Sequence, residues 1–138
     1  MLTYSEGSGS VVERGEVRHT NSFKQSVLFT GLVYGKITPT DIDGFIDFGN
    51  RLFIFIELKY GSAELPRGQR VALERLCDAS ESNDRFSVVI VASHNSDGDI
   101  IAADATVVEY RWRKKWHKPT EVTTLKQAID KMREKRGL

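Results

Sequence analysis

The spacing of apolar residues at three and four positions predicts three helices, over 21–32, 64–80 and 120–137. Asn21 or Ser22 could cap the first helix, and Pro66 suits the first turn of the second. The positions expected to face inward are, in chain order, Phe23, Val27, Leu28, Leu32, Gln69, Ala72, Leu73, Leu76, Cys77, Val122, Leu125, Ile129 and Met132. The solvent side of the second helix is expected to carry Arg67, Arg70, Glu74 and Arg75.

Strand-like segments occur between these helices. A short strand is predicted over 32–38, a hairpin over 41–59, a strand covered on both faces over 86–93 and a further strand over 105–112. The order predicts an α/β fold with a mixed central sheet flanked by helices. A chain of 138 residues suits one domain, 1–138, and the first ten residues, which include "SEGSGS", are expected to be flexible.

The hairpin can be given a register from its alternation. Phe53, Phe55, Glu57 and Lys59 share one side of the second strand, because side chains of a strand alternate between faces. A three-residue loop, 49–51, matches apolar side with apolar side, whereas a two-residue loop does not. This register places Asp43 opposite Glu57 and Asp41 opposite Lys59.

Two carboxylates that face each other across neighbouring strands repel and are desolvated, and a divalent cation would relieve the repulsion. Mg²⁺ prefers oxygen ligands, so Asp43, Glu57 and the backbone carbonyl of Leu58 are candidate ligands. Lys59 lies further along the same face and could hold or activate a water that attacks phosphorus. The alternative is a surface hairpin end at which Glu57 and Lys59 are solvated, or at which Lys59 pairs with Asp41.

The stretches "TDIDGFIDF" and "LFIFIELK", followed by a helix that opens with "RGQ", resemble the PD-(D/E)xK nuclease superfamily, which includes restriction endonucleases, Holliday-junction resolvases and small phage-type nucleases. The resemblance implies an αβββαβ core with an extra C-terminal strand and helix. It implies that Glu57 and Lys59 form the ExK pair and that Asp43, or alternatively Asp41, is the upstream metal ligand. It also implies that Gln69 lies beside the site, that Mg²⁺ or Mn²⁺ is the cofactor, and that DNA is the substrate of a homodimer.

Charge is distributed unevenly. Residues 1–110 carry ten Lys and Arg against sixteen Asp and Glu, and residues 111–138 carry ten against three. The stretch "YRWRKKWHK" concentrates positive charge beside aromatic residues, which suits nucleic-acid phosphates. Arg113, Lys114, Lys115 and Lys118 are therefore predicted to bind nucleic acid, while Trp112 is expected to pack in the sheet with Tyr110.

Other features of the sequence bear on cellular location and on further chemistry. The sequence shows no apolar run long enough to span a membrane and no signal peptide, so a cytoplasmic protein is expected. A lone Cys77 allows no internal disulfide, and His94 is interpreted as a turn residue or, alternatively, a base near the site. The sequence thus favours a metal-dependent DNA endonuclease, with a non-catalytic nucleic-acid-binding or partner-binding protein, or a ribonuclease, as alternatives.

Overall fold

A computed structural model describes the backbone of Ser10–Glu13, Glu16–His19 and 26–138, with side chains from residue 26 onward. The chain divides into two compact units, Met1–Pro39 and Thr40–Leu138. In the first unit, strands β1 (Ser10–Glu13) and β2 (Glu16–His19) pair antiparallel. The flexible lead-in expected over 1–10 lies outside the described residues except for the backbone of Ser10, and the single domain stays a prediction.

The helix expected over 21–32 is wrong for its described part, because residues 26–32 form no helix. Gly31 has a φ of 90°, which a right-handed helix does not allow. Residues 21–25 lie outside the described residues. The short strand expected over 32–38 is also wrong: only Tyr34 and Ile37 pair, across a tight turn in which Gly35 has a φ of 66°.

The second unit is built on a five-stranded mixed sheet in the order β3-β4-β5-β6-β7. Its strands are β3 (Gly44–Phe48), β4 (Leu52–Tyr60), β5 (Phe86–His94), β6 (Thr106–Trp112) and β7 (Lys115–His117). The pair β4–β5 is parallel and the other pairs are antiparallel. Two helices, α1 (Arg67–Ser80) and α2 (Leu125–Arg136), complete it. The predicted α/β class and mixed sheet are confirmed.

The two helices cover opposite faces of the sheet. On one face α2 packs against the aliphatic side of β4 and β5, in a cluster made of Leu52, Ile54, Ile56, Val88, Ile90, Val107, Leu125 and Ile129. On the other face α1 contributes Leu73 and Cys77 to a cluster with Phe55, Leu65, Val89 and Val91. Because β5 is buried on both faces, its central run 88–92 is apolar at every position, as expected for a covered strand.

The hairpin β3–β4 has the register that alternation predicted. Gly44 pairs with Ile56 and Phe48 with Leu52, which leaves a three-residue loop. Gly49 and Asn50 have φ angles of 60° and 63°, a conformation that glycine and asparagine tolerate better than other residues. Continuing the pairing by one residue places Asp43 opposite Glu57.

The final helix begins later than its apolar spacing suggested. Thr124 and Gln127 form a reciprocal capping box that starts α2 at Leu125. Val122, which was expected to face inward, precedes that start and is 88% exposed. Leu76 on α1 was also expected inward and is 40% exposed, because it lies at the margin of the helix face that meets the sheet. No helix of the described residues is long and apolar enough to cross a membrane.

Strand β7 was not predicted, and it changes the surroundings of α1. It widens the sheet by one edge strand. Part of the side of α1 that was expected to face solvent therefore meets β6 and β7. Arg70 pairs with Glu109 of β6, and the Trp116 indole of β7 donates a hydrogen bond to Glu74 over 2.6 Å. Arg111 binds Asp78 through two hydrogen bonds, of 2.9 and 2.7 Å.

Candidate active site

Four of the predicted site residues lie together at the end of β4, on the face that α1 covers. The apolar run of β4 carries the strand into the core, and its last alternate positions present Glu57 and Lys59 toward α1. Gln69 is the third residue of α1, and Asp43 immediately precedes β3. Alternation of the strand and the position of the helix start therefore bring the four side chains to one place.

Glu57 is the buried centre of this group, with 3% of its surface exposed. Its Oε1 accepts a hydrogen bond from Gln69 Nε2 over 2.8 Å and lies 3.4 Å from Lys59 Nζ. Its Oε2 is buried and has no hydrogen-bond partner among the described residues. Burial raises the pKa of the Glu57 carboxyl, and the charge of Asp43 raises it further, while Gln69 and Lys59 oppose the shift.

Gln69 links Glu57 and Lys59. Its amide nitrogen donates to Glu57, and its amide oxygen accepts a hydrogen bond from Lys59 Nζ over 3.1 Å. The same nitrogen lies 3.4 Å from the backbone carbonyl of Asp41. Gln69 therefore fixes the relative positions of Glu57 and Lys59, whose side chains could otherwise adopt several rotamers. In this role it is a positioning residue.

The two candidate aspartates are used differently. Asp43 Oδ2 accepts a hydrogen bond from the backbone N–H of Leu58 over 2.7 Å, which holds its carboxylate beside the end of β4. Asp41 contributes its backbone carbonyl to Gln69. The alternative pairing of Lys59 with Asp41 does not form, because the ion pair of Lys59 is made with Glu57. The geometry favours Asp43 as the second carboxylate.

The oxygens of Asp43, Glu57 and the Leu58 carbonyl suit a hard divalent cation. The Glu57 Oε2, which has no partner among the described residues, supports this match. A buried carboxylate oxygen without a partner is costly, and a cation would satisfy it. The N–H and C=O of one strand residue point to the same side, so the Leu58 carbonyl points toward the side on which its N–H meets Asp43. Among residues 26–138, no group of three or more His, Cys, Asp and Glu side chains is placed to hold a metal ion. The site thus offers two carboxylates and a carbonyl.

A polar network that sequence reasoning missed holds α1 on the sheet beside the site. Arg70 follows Gln69 directly and binds the Glu109 carboxylate with both terminal nitrogens. Its guanidinium also lies 4.4 Å from the centre of the Trp116 ring. The hydrogen bond that Arg70 donates to the Glu109 carboxylate raises the pKa of Arg70. Glu109 is the single acidic residue of β6, and this was the only sign of the network in the sequence. Its pairing with Arg70 can be recognised only when α1 is placed over the sheet.

The basic residues predicted to bind nucleic acid do not lie at the site. Arg113 and Lys114 form the two-residue turn between β6 and β7, Lys115 begins β7 and Lys118 follows it, and all four are exposed. The pairings of Ile54 with Val88 and of Val88 with Trp112 put this turn level with the start of β4. It is therefore roughly 16 Å along the strands and 10 Å across them from Lys59.

The turn is conformationally unusual. Arg113 and Lys114 have φ angles of 51° and 66°, the left-handed region that glycine and asparagine normally occupy in such a hairpin. Placing two long basic residues there costs on the order of 1–2 kcal/mol per residue. The expected packing of Trp112 and Tyr110 on one face of the sheet is confirmed, since both pack against the core cluster that meets α2.

His94 lies apart from the site. It pairs in register with Tyr60, so its side chain is on the face opposite to Lys59. The rings of Tyr60 and His94 pack edge to face at 5.6 Å, and His94 Nδ1 accepts a hydrogen bond from the Ser96 N–H over 3.2 Å. The interpretation of His94 as a turn residue fits these contacts better than a role as base.

No protein-family model, no curated protein and no solved structure matches this chain.

Proposed function

We propose that this protein is a Mg²⁺-dependent endonuclease that hydrolyses phosphodiester bonds of DNA, with Asp43, Glu57 and Lys59 as its catalytic residues. The observation that carries the proposal is Glu57, a buried carboxylate with one partnerless oxygen, held beside Asp43 and Lys59 by Gln69. A purely structural role does not account for this arrangement. A Leu or Met would fill the same buried position without the cost of desolvating a charge.

Asp43, Glu57 and the Leu58 carbonyl would hold the cation, with the resemblance to PD-(D/E)xK nucleases supporting the same assignment. Mg²⁺ bound there would lower the pKa of a water and offset charge on the scissile phosphate, and Mn²⁺ could replace it. The hydrogen bond from Gln69 to Glu57 Oε1 fixes the carboxylate, so that its free Oε2 is turned toward the cation. The Leu58 N–H keeps the Asp43 carboxylate turned toward the same place.

Lys59 supplies a positive charge next to these carboxylates. Its ammonium is held by Glu57 Oε1 and Gln69 Oε1, and 18% of its side chain is exposed, so it can reach a phosphate oxygen or an attacking water. Donors fixed before the reaction stabilise developing negative charge without reorganisation, and removal of one such donor typically costs about 10²–10³-fold in rate. The predicted homodimer is a proposal that follows from the same resemblance.

The test is incubation of the pure protein with supercoiled, linear, single-stranded and four-way-junction DNA and with RNA, each with Mg²⁺, Mn²⁺ or EDTA. Cleavage that requires the metal and falls by about 10²–10³-fold in Glu57→Gln and in Lys59→Met is the expected result. Glu64→Gln, which removes an exposed carboxylate outside the site, is the control and should cleave at the normal rate.

Two other outcomes would contradict the proposal in different ways. Metal-dependent cleavage confined to RNA would identify a ribonuclease. A rise in melting temperature with Mn²⁺ that Asp43→Asn abolishes, without cleavage of any substrate, would identify a metal-binding but non-catalytic protein. The exposed Arg113–Lys114 turn would then be its contact with nucleic acid, which is the observation that favours this second candidate.

A further inference from the structure

The face of the sheet opposite to the candidate site contains a cavity of about 730 Å³. It lies between β6, α2 and the segment 118–123 that joins β7 to α2. Its volume falls within the range of about 300–1,000 Å³ that small-molecule sites occupy. Glu57 and Lys59 face α1, whereas Tyr110 pairs with Ile90 and faces α2, so the sheet separates the two places.

The walls of the cavity are of two chemical kinds. The floor is apolar and partly aromatic, and is made of Ile90, Val107, Tyr110, Trp112 and Met132. The rim is cationic, and is made of Arg113, Lys118, Lys131, Lys135 and Arg136. Glu121 is the one acidic residue among the lining residues, so the lining carries a formal charge of +4. The cavity therefore complements a ligand that joins an aromatic group to an anion.

The lining is fixed by hydrogen bonds and stacking. Val107 donates its N–H to the Thr123 carbonyl over 2.9 Å, which ties the 118–123 segment to β6. The Trp112 ring stacks on Phe86 at 5.2 Å with an angle of 12° between the rings. A floor held in this way loses little conformational entropy when a ligand binds.

Three lysines of the rim are available for an anion. Arg136 is engaged, with its guanidinium 3.5 Å from the centre of the Phe86 ring. Lys118, Lys131 and Lys135 take part in none of the ion pairs formed among residues 26–138. Several ammonium groups around an apolar floor repel one another, and a bound phosphate would relieve that repulsion.

We propose that this cavity binds a nucleoside phosphate, with the base against the apolar floor beside Trp112 and the phosphates at Lys118, Lys131 and Lys135. A bare polyanion would leave the floor exposed to water, and an uncharged aromatic ligand would leave the lysines unpaired. The nucleoside phosphate is either a free nucleotide or the end of a nucleic-acid strand, since both present the same groups. Because the site lies across the sheet from Glu57, the proposal does not depend on nuclease activity.

The test uses the full chain with Trp116→Phe, so that Trp112 is the remaining tryptophan. Its fluorescence is followed in EDTA during titration with ADP, ATP, adenosine, inorganic tripolyphosphate and a 5′-phosphorylated tetranucleotide. We expect ADP, ATP or the tetranucleotide to quench Trp112 and to bind at least roughly tenfold more tightly than adenosine or tripolyphosphate. Tighter binding of ADP and ATP identifies a free nucleotide, and tighter binding of the tetranucleotide identifies a strand end.

Lys131→Ala combined with Lys135→Ala should weaken that binding by roughly tenfold. Arg67→Ala combined with Arg75→Ala is the matched control, because it removes the same charge from exposed positions of α1 that do not line the cavity and lie on the other face of the sheet. Equal binding of tripolyphosphate and ATP would overturn the proposal in favour of a general polyanion surface. Equal weakening by the two double variants, or saturation by none of the nucleotides, would also overturn it.

Discussion

The Gln69 amide nitrogen lies 2.8 Å from Glu57 Oε1, while the amide oxygen of the same side chain accepts a hydrogen bond from Lys59. One neutral residue of α1 thus orients both charged residues of β4. A carboxylate or an amine at position 69 could satisfy only one of them, because the first has no donor when ionised and the second has no acceptor.

Gln69→Ala is therefore expected to lower cleavage by roughly 10–100-fold, the usual cost of losing a residue that orients metal ligands. The loss should appear in kcat and in the Mn²⁺ concentration needed for half-maximal activity, because Glu57 loses its fixed rotamer. Arg67→Ala, an exposed change in the same helical turn, should leave both values unchanged. A Gln69→Glu variant as active as the unchanged protein would contradict the orienting role.

The pKa of Glu57 gives the metal-free protein a specific dependence on pH. Because burial raises this pKa above its ordinary value of 4.5, the folded protein binds the proton more tightly than the unfolded chain does. The contribution of Glu57 to stability is therefore most favourable at low pH and falls as the pH rises from about 4.5 through the folded pKa. Chemical unfolding of the protein and of Glu57→Gln in EDTA should show this fall only in the former. Parallel pH profiles would contradict it.

The two residues of the β6–β7 turn are expected to lower the stability of the protein and to strengthen its binding of DNA. Arg113→Asn combined with Lys114→Gly places favoured residues at the two positive φ angles and is expected to raise the free energy of unfolding by about 1–2 kcal/mol. The same variant removes two exposed cations, so the salt dependence of its DNA affinity should become shallower. Urea unfolding and binding at several salt concentrations measure the two effects. A variant that is less stable would show that the turn is not strained.

Cys77 should be inert in the folded protein. Burial raises the pKa of its thiol to about 12, and only 1% of the residue is exposed. At pH 8 a thiol reagent such as DTNB should label the native protein slowly and the urea-unfolded chain completely, since the thiolate is the reactive form. Rapid stoichiometric labelling under native conditions would show that α1 leaves the sheet easily.

The accuracy of the sequence predictions follows the range of the interactions that decide each element. The β3–β4 register depends on alternation and on a three-residue loop, both of which are local, and it was predicted to the residue. Helix α1 follows in the same way from its spacing. These features needed no knowledge of distant parts of the chain.

Other elements depend on partners that the local pattern does not show. Val122 has helical spacing with Leu125, but the Thr124–Gln127 capping box sets a later start. Strand β7 is only three residues long and is defined by its pairing with β6. The link of Gln69 to both Glu57 and Lys59 required α1 to be placed over the sheet, and the distance of the basic turn from Lys59 required the strand directions.

The three-residue loop of the β3–β4 hairpin has a consequence for how this gene can vary. Surface loops usually accept insertions and deletions, because their length changes little in the core. Here the loop length sets which residue stands opposite Glu57, so a single added or lost codon at 49–51 would put Ile42 or Gly44 there in place of Asp43 while the two strands could still pair. The loop length thus sets the register that brings Asp43 opposite Glu57. Selection on activity would act on this length even where the loop tolerates changes of sequence.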